Sequence, residues 1–580
     1  MMKKSAWKLL FVFVLFIASY AILFSQTTLK SSIIFSTQDQ VDHFAENYPG
    51  VTNIDGDLFI YGLSSINNLD GLNTITSISG DLWIGGKEDL HANLLLTDIT
   101  GLSNLNFIGN DLNIFKNYAL SNLDGLNSLT QINGNLWINT SSLTSLSGLD
   151  NVVSVAGDLM IYFCSSLQAL NGLTSITMIE GNLEIYENAV ANLNGLNALT
   201  TVGGDLWIDY NANLISLKGL NLLTSIGGDC MIGQHQLLPN LEGLNAVVVI
   251  GGNLEIYNNA ALNSLSGFNS LTEINGSIDI QQNPALQNLN GLNQLTLIGI
   301  DLSLGFNESL TDIEALSALG SIGEEIYIYN NTALQSLEGL NSIKTINGSL
   351  RITGQPFIVN LQGLNGLKFI GGNLSVWTNP GLRNFEGLNN LQSMQGHLNI
   401  WDNKSLRNIS GLTNLTSTGG FIKIYRNAIL SSLSGLDNIE PKQIHYLNIS
   451  ENDSLSYCEI ESICDYFAEP FGTFIIAANK KGCNTYKEIQ ESCEGLYPDP
   501  PSFHGNYLIY PNPADSWFNV IVNEDDELEK VRLFNLSGQK VLEIESPNTT
   551  WNAGFLSTGL YIIELTINGE QFKDKIVVKK

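Results

Sequence analysis

The sequence predicts an all-β dominated chain. The expected architecture is a right-handed parallel β-solenoid of about 24-residue repeats with small helical caps, followed by a small C-terminal β-sandwich. Three observations lead there. A skeleton G-x-L-x-I-x-x-N-x-x-L-x-x-L-x-G-[LF]-x-x-L-x-x-I recurs with a step of 24 from Leu206 to Ile422, and its leading slot is also filled by Leu58, Leu82, Leu112, Leu136, Leu159 and Leu183. Within one repeat, such as Asn253-Leu254-Glu255-Ile256-Tyr257, apolar residues alternate with polar or aromatic ones, the period of a half-buried strand. The period then vanishes in the last part of the chain, where alternating strands and turn signals take over. A fixed period of this size means that each repeat buries its apolar face on the next.

Residues 1–25 read as a signal peptide. Lys3, Lys4 and Lys8 precede the apolar run Leu9 to Phe24, which is short for a membrane span. Membrane contact is therefore expected only through this transient segment. Ile33 to Gly50 is an N-terminal cap: Thr37 and Gln40 form a capping-box pattern before a short helix from Gln38 to Asn47, ended by Pro49-Gly50.

In each coil of the solenoid, residues 33–455, the Leu254 and Ile256 slots point inward, and Leu262, Leu265, Phe268, Leu271 and Ile274 fill the rest. Gly267 and Gly276 mark tight corners, and the Ile274 segment is a second short strand. An inward asparagine recurs as Asn117, Asn188, Asn211, Asn259, Asn283, Asn307, Asn331, Asn379, Asn403, Asn427 and Asn452. Stacked at one angular position, its amide can bond the turn backbone of its own coil and the next, so it is expected to form a structural ladder. Ser141, Cys164, His235 and Gln355 take that slot in other coils, where irregularity is expected. A six-residue excess between Gly85 and Thr97 is a loop bulging from one coil.

Residues 456–495 form a C-terminal cap with Cys458, Cys464, Cys483 and Cys493. Clustered cysteines in an exported chain suggest two disulfides. Three pairings are open, of which Cys458–Cys483 with Cys464–Cys493 is preferred. Cys164 and Cys230 lie in inward slots as free thiols. A proline-rich linker, 496–506, leads to the last domain, 507–580, where Asn568-Gly569 marks a hairpin turn.

Two resemblances follow from these motifs. The segment L-x-I-x-x-N-x-x-L resembles leucine-rich repeats, and the fuller form, with L-x-G-L-x-x-L-x-x-I-x-G-D-L-x-I, is similar to the receptor L-domain family and its bacterial relatives over about residues 33–455. The C-terminal landmarks are Pro511-Asn512-Pro513, then Gly538 within Leu536 to Val541, then Gly559-Leu560-Tyr561. Together they resemble the type A C-terminal sorting domain of the type IX secretion system of Bacteroidota, an Ig-like β-sandwich. The resemblance implies the type IX machinery as a partner, a secreted or outer-surface location in a Gram-negative cell, and often removal of this domain.

The chemistry is sparse. The formal net charge of −30 argues against nucleic acid and anionic lipid as partners. No G-x-S-x-G elbow, P-loop or H-E-x-x-H occurs, and no cofactor is expected. A column of Asp57, Asp81, Asp111, Asp158, Asp205, Asp229 and Asp301 precedes the inward leucine. Calcium could bridge such carboxylates, but Asn135, Asn182, Asn253 and Asn373 share the slot, so a turn preference is the favoured reading.

The outward slots carry aromatic residues: Tyr61, Phe115, Tyr162, Tyr186, Tyr257, Tyr329, Trp377, Trp401 and Tyr425 after the inner isoleucine, and Trp83, Trp137, Trp207 and Tyr327 two positions earlier. Trp377, Trp401 and Tyr425 come from consecutive coils and should stack. Such rows stabilise a sheet by roughly 0.2–1 kcal/mol per pair. Exposed and flanked by polar groups, they also bind sugars or proteins. The sequence therefore points to a non-catalytic recognition or adhesion protein. Its candidate contacts for an unidentified glycan or protein ligand are Tyr327, Tyr329, Arg351, Trp377, Trp401 and Tyr425. A polysaccharide-active enzyme and a passive spacer are the rival readings.

Overall fold

The computed structural model describes residues 27–470, 472–493, 507–510, 512, 514, 517–522, 526–545 and 550–579. The signal-peptide and linker segments, and Pro511 and Pro513, lie outside the described residues. No helix among the described residues is long and apolar enough to cross a membrane. The chain divides into two compact units, Met1–Leu310 and Thr311–Lys580.

The first unit is a parallel β-solenoid. Its principal ladder starts in the cap, where Ile33–Phe35 pairs in parallel with Leu58–Ile60, and it continues coil by coil in register, as in Leu206↔Cys230↔Leu254↔Ile278. A second ladder of two-residue strands, such as Val249–Ile250 and Glu273–Ile274, runs on another side of the coil. The alternation is obeyed closely: Leu254, Ile256, Leu262, Leu265, Phe268, Leu271 and Ile274 are all fully buried. Burial of each such side chain contributes about 1.5–3 kcal/mol, so the stack is held by its apolar interior. The expected capping box is present at Thr37 and Gln40, but the helix is broken at His43 into Gln38–Asp42 and Phe44–Asn47.

Corners are closed by glycine where nothing else fits. At Gly267 the backbone has φ +132°, and a Cβ would stand 2.0 Å from the Leu241 carbonyl oxygen of the preceding coil. A second corner precedes the ladder position and adopts the left-handed region without glycine, at Lys116, Phe163, Glu187, Tyr210, Asn258 and Gln282, among others.

The asparagine ladder takes the predicted form. Asn283 Oδ1 accepts from the backbone N–H of Asn259 at 3.1 Å, and Asn283 Nδ2 donates to the Ile256 carbonyl at 2.9 Å. Asn117, Asn188, Asn211, Asn259 and Asn307 are buried in the same way. Asn93 belongs to the ladder too, donating to Asn117 Oδ1 and Ile60 O, so the extra residues lie ahead of it. In the coil of Leu136 the buried residue is Thr140, not Ser141. That coil is one residue short and omits the left-handed position, which moves the inward slot back by one. Cys164 and Cys230 are buried free thiols, and burial pushes the Cys164 thiol up to about 12. His235 is buried, with both ring nitrogens at 3.2 Å from the Asn211 and Ile208 carbonyls.

The column before the inward leucine is a second ladder. Asp57 Oδ1 accepts from the Asp81 N–H, Asp158 Oδ1 from Asn182, Asn182 Oδ1 from Asp205, and Asn253 Oδ1 from Ser277, all at 2.7–2.9 Å. The turn reading is thereby given a mechanism: each side chain caps the next coil's backbone.

The second unit continues the same coil design. Strands Leu350–Thr353, Leu374–Trp377, Leu398–Trp401, Phe421–Tyr425 and Tyr446–Ser450 pair in parallel, and Thr473–Ala477 of the cap adds one more. Asn331, Asn379, Asn403, Asn427 and Asn452 are buried, and Asn479, missed in the sequence, prolongs their ladder by accepting from the Asn452 N–H at 3.0 Å. The cap is stapled by Cys458–Cys483 and Cys464–Cys493, the preferred pairing.

At the C-terminus, strands Tyr507–Tyr510, Trp517–Val522 and Thr550–Asn552 form one antiparallel sheet. Lys540–Glu545, Leu528–Asn535, Gly559–Ile567 and Glu570–Val578 form another. Phe518, Val520, Val531, Leu533, Trp551, Ile563 and Leu565 share one core, as in a β-sandwich. Asn512 clamps the last strand, donating to Lys575 O and accepting from the Val577 N–H, both at 2.8 Å. Tyr561 donates its hydroxyl to Ser557 O, and Gly538 turns at φ +80°. Asn568 and Gly569, at φ +50° and +77°, make the expected hairpin turn.

Candidate binding face

The outward side chains of the principal sheet of the second unit stand in three columns, because successive outward positions on one strand are two residues apart. The column after the inner isoleucine holds Thr353, Trp377, Trp401, Tyr425 and Ser450 in register. Trp377 and Trp401 stack at 4.8 Å with planes 10° apart, and Trp401 and Tyr425 at 5.8 Å and 1°. All three are partly exposed. Trp401 has a neighbour on each face, so it offers a ring edge to solvent and not a ring face.

Tyr327 and Tyr329 stack on each other at 4.3 Å, and Tyr327 reaches Trp377 at 6.4 Å. The small, buried Thr353 stands opposite both Tyr329 and Trp377. All the predicted contact residues are thus brought onto one face. Arg351, however, is committed elsewhere: its guanidinium bonds Glu325 at 3.2 Å and lies 5.9 Å from the Tyr327 ring.

A second aromatic row was missed. His397, Phe421 and Tyr446 occupy the slot before the inward leucine, with ring separations of 4.2 and 5.5 Å. In the preceding coils that slot holds Asp, Asn, Ser or Glu, so a column-by-column comparison would have exposed the change. Between the rows runs a polar strip, Ser375, Asn399, Lys423 and Asn448. Four residues separate the rows along each strand, which sets them about 13 Å apart. The result is a shallow trough with aromatic margins and a floor of hydroxyl, amide and ammonium groups. Lys423 Nζ lies 5.9 and 5.5 Å from the Phe421 and Tyr446 rings, with no ion-pair partner among the described residues. Burial, and then the neighbouring Lys423 charge, hold the His397 imidazole below its ordinary range.

The aromatic face of the first unit is differently finished. Phe115 projects outward yet is only 1% exposed, boxed in by Trp83, Trp137, Tyr162 and by Lys87 from the inserted loop. Lys87 Nζ also sits 4.2 Å over the Trp137 ring, and His91 packs on Tyr61 at 4.4 Å. The loop thus covers part of this row. Further along, Glu255 and Asp279 stand opposite one another, both raised in pKa by burial first and then by nearby carboxylates for Glu255, and by burial for Asp279.

Comparison with known proteins follows the same division. The family model "Receptor L domain" matches residues 248–341, and "Secretion system C-terminal sorting domain" matches residues 508–579. No curated protein matches the chain. Among solved structures, the crystal structure of a TLR13–ssRNA13 complex aligns at 17% identity and TM-score 0.32, covering 73% of this chain and 63% of that one. The sorting domain marks the protein for secretion to the outer surface through the type IX system. The chain is a receptor-L-domain-like β-solenoid that ends in a type IX secretion sorting domain.

Proposed function

We propose that the protein is a non-catalytic recognition or adhesion protein of the outer surface, which holds a glycan or protein ligand against the aromatic face of its second unit. The observation that carries this reading is the row Trp377, Trp401 and Tyr425, partly exposed beside a polar strip. Stacking alone would account for a ladder, but not for a hydrogen-bonding floor with a second aromatic margin. Contacts repeated on successive coils let an extended ligand gain affinity additively, with no one deep pocket required.

A glycan array followed by a turnover assay on its hits tests the reading. Trp377→Ala combined with Trp401→Ala should weaken binding of the identified ligand by about ten-fold or more while the fold survives, since partly exposed aromatic anchors dominate such contacts. Normal binding by the folded double variant would place the contact surface elsewhere. Product formation would instead favour a polysaccharide-active enzyme, for which the opposed Glu255 and Asp279 are the first carboxylates to substitute. Neither binding nor product would leave a spacer.

A further inference from the structure

We propose that the trough between the two aromatic rows takes an acidic polysaccharide, with a sugar carboxylate seated on Lys423. The inference rests on the reading that this face binds a ligand, and it adds the chemistry of that ligand.

The floor consists of side chains on interior strands whose neighbours on both sides are paired, as Leu398–Trp401 is between Leu374–Trp377 and Phe421–Tyr425. An extended peptide recognised through its backbone needs an open strand edge, which this floor lacks. What it offers instead are side-chain amides and a hydroxyl. Asn399 donates one bond to Ser375 Oγ at 3.2 Å, and Asn448 accepts one from Ser450, so each amide retains hydrogen-bonding capacity for a polyol. Phe421 is 38% exposed and Trp401 lines the other margin, so a sugar chain between them meets apolar edges on both sides.

The charge argument selects an acid. The chain carries 26 basic residues against 56 acidic ones. On this face Arg351 is neutralised by Glu325, whereas Lys423 has ring neighbours and no carboxylate partner among the described residues. His397 stays neutral at neutral pH, because burial and Lys423 itself oppose its protonation. One ammonium group in a polar strip suits a sugar ring that carries a single carboxylate among its hydroxyls.

The test uses the full chain and two matched pairs of probes: oligogalacturonates with their fully methyl-esterified counterparts, and oligomannuronates with theirs. At least one acid should bind about ten-fold or more tightly than its ester, the size of a charge-assisted contact. Lys423→Met should erase that preference and Lys423→Arg should keep it, with unchanged circular dichroism in both. No preference for either acid overturns the proposal, as does a preference that survives Lys423→Met. Lys423-dependent capture of poly-L-glutamate with no uronate binding would overturn the polysaccharide assignment. The two readings fail separately: a persisting acid preference in Lys423→Met, with binding still lost in the Trp377/Trp401 double variant, removes only this inference.

Discussion

Replacing Asn403 by alanine removes one rung of the buried ladder, and its cost can be worked from four contacts. Asn403 Nδ2 donates to the Val376 carbonyl at 2.9 Å and to Asn427 Oδ1 at 3.3 Å. Its Oδ1 accepts from the Asn379 backbone N–H at 3.1 Å and from Asn379 Nδ2 at 3.3 Å. The alanine leaves one backbone group, the Asn379 N–H, with no partner where Asn403 is fully buried, and it removes one bond to the Val376 C=O, which lies within the strand ladder. At about 1–3 kcal/mol for the orphaned group, the variant should lose about 1–3 kcal/mol. Asn331, equally buried, should respond alike. Denaturant unfolding measures the loss, read at the same transition in both proteins because repeat arrays can unfold in stages. Amide exchange at Asn379 should also accelerate. Asn408→Ala is the control: that half-buried side chain bonds the nearby Ser410 alone among the described residues, and its loss should cost about 1 kcal/mol or less. A loss below about 0.5 kcal/mol for Asn403→Ala would mean that water replaces the amide, and the ladder argument would fail.

Three further outcomes are expected. The His235 imidazole is pushed down to about 4 by burial, from an ordinary 6.5. Below pH 6.5 the unfolded chain gains a proton that the folded one refuses, so about 3 kcal/mol should be lost between pH 6.5 and 4; a pH series in which His235→Asn still shows this loss refutes the assignment. Gly387→Ala should destabilise by about 3 kcal/mol or more, since φ is +115° and the new Cβ would stand 2.0 Å from Leu361 O; a neutral thermal melt would contradict the corner geometry. Deleting residues 507–580 should hold the protein in the periplasm, and cell fractionation that finds it at the surface would refute the sorting role.

The repeat, its buried positions and the amide ladder were legible because each is written once per coil, and repetition separates signal from accident. What escaped was written only once. Asn93 was hidden by the insertion ahead of it, and Thr140 by a one-residue deletion that a fixed spacing assigns to Ser141. Asn479 and Thr473–Ala477 lie in a cap whose apolar spacing no longer follows the period, although the backbone still does. The covering of Phe115 depends on where a loop folds, which periodicity does not specify. The left-handed corner carries no compositional mark either: Lys116, Glu187 and Thr378 all adopt it, held there by the ladder asparagine that follows. Local preference is overruled at that corner by the hydrogen bonds of the coil. The row of His397, Phe421 and Tyr446 was passed over because its slot was understood as a turn position.

The capping column before the inward leucine separates charge from architecture. Asp57, Asp158 and Asp205 serve it as well as Asn135, Asn182 and Asn253 do, since each supplies one oxygen to the next backbone N–H. Ser277 does so with a hydroxyl. The electrical potential of this edge can therefore drift, residue by residue, over an unchanged backbone. Chemical ageing would exploit the same tolerance. Deamidation of Asn135 keeps the oxygen that accepts from the Asp158 N–H and adds a negative charge, a change that isoelectric focusing would register and an unfolding curve would pass over.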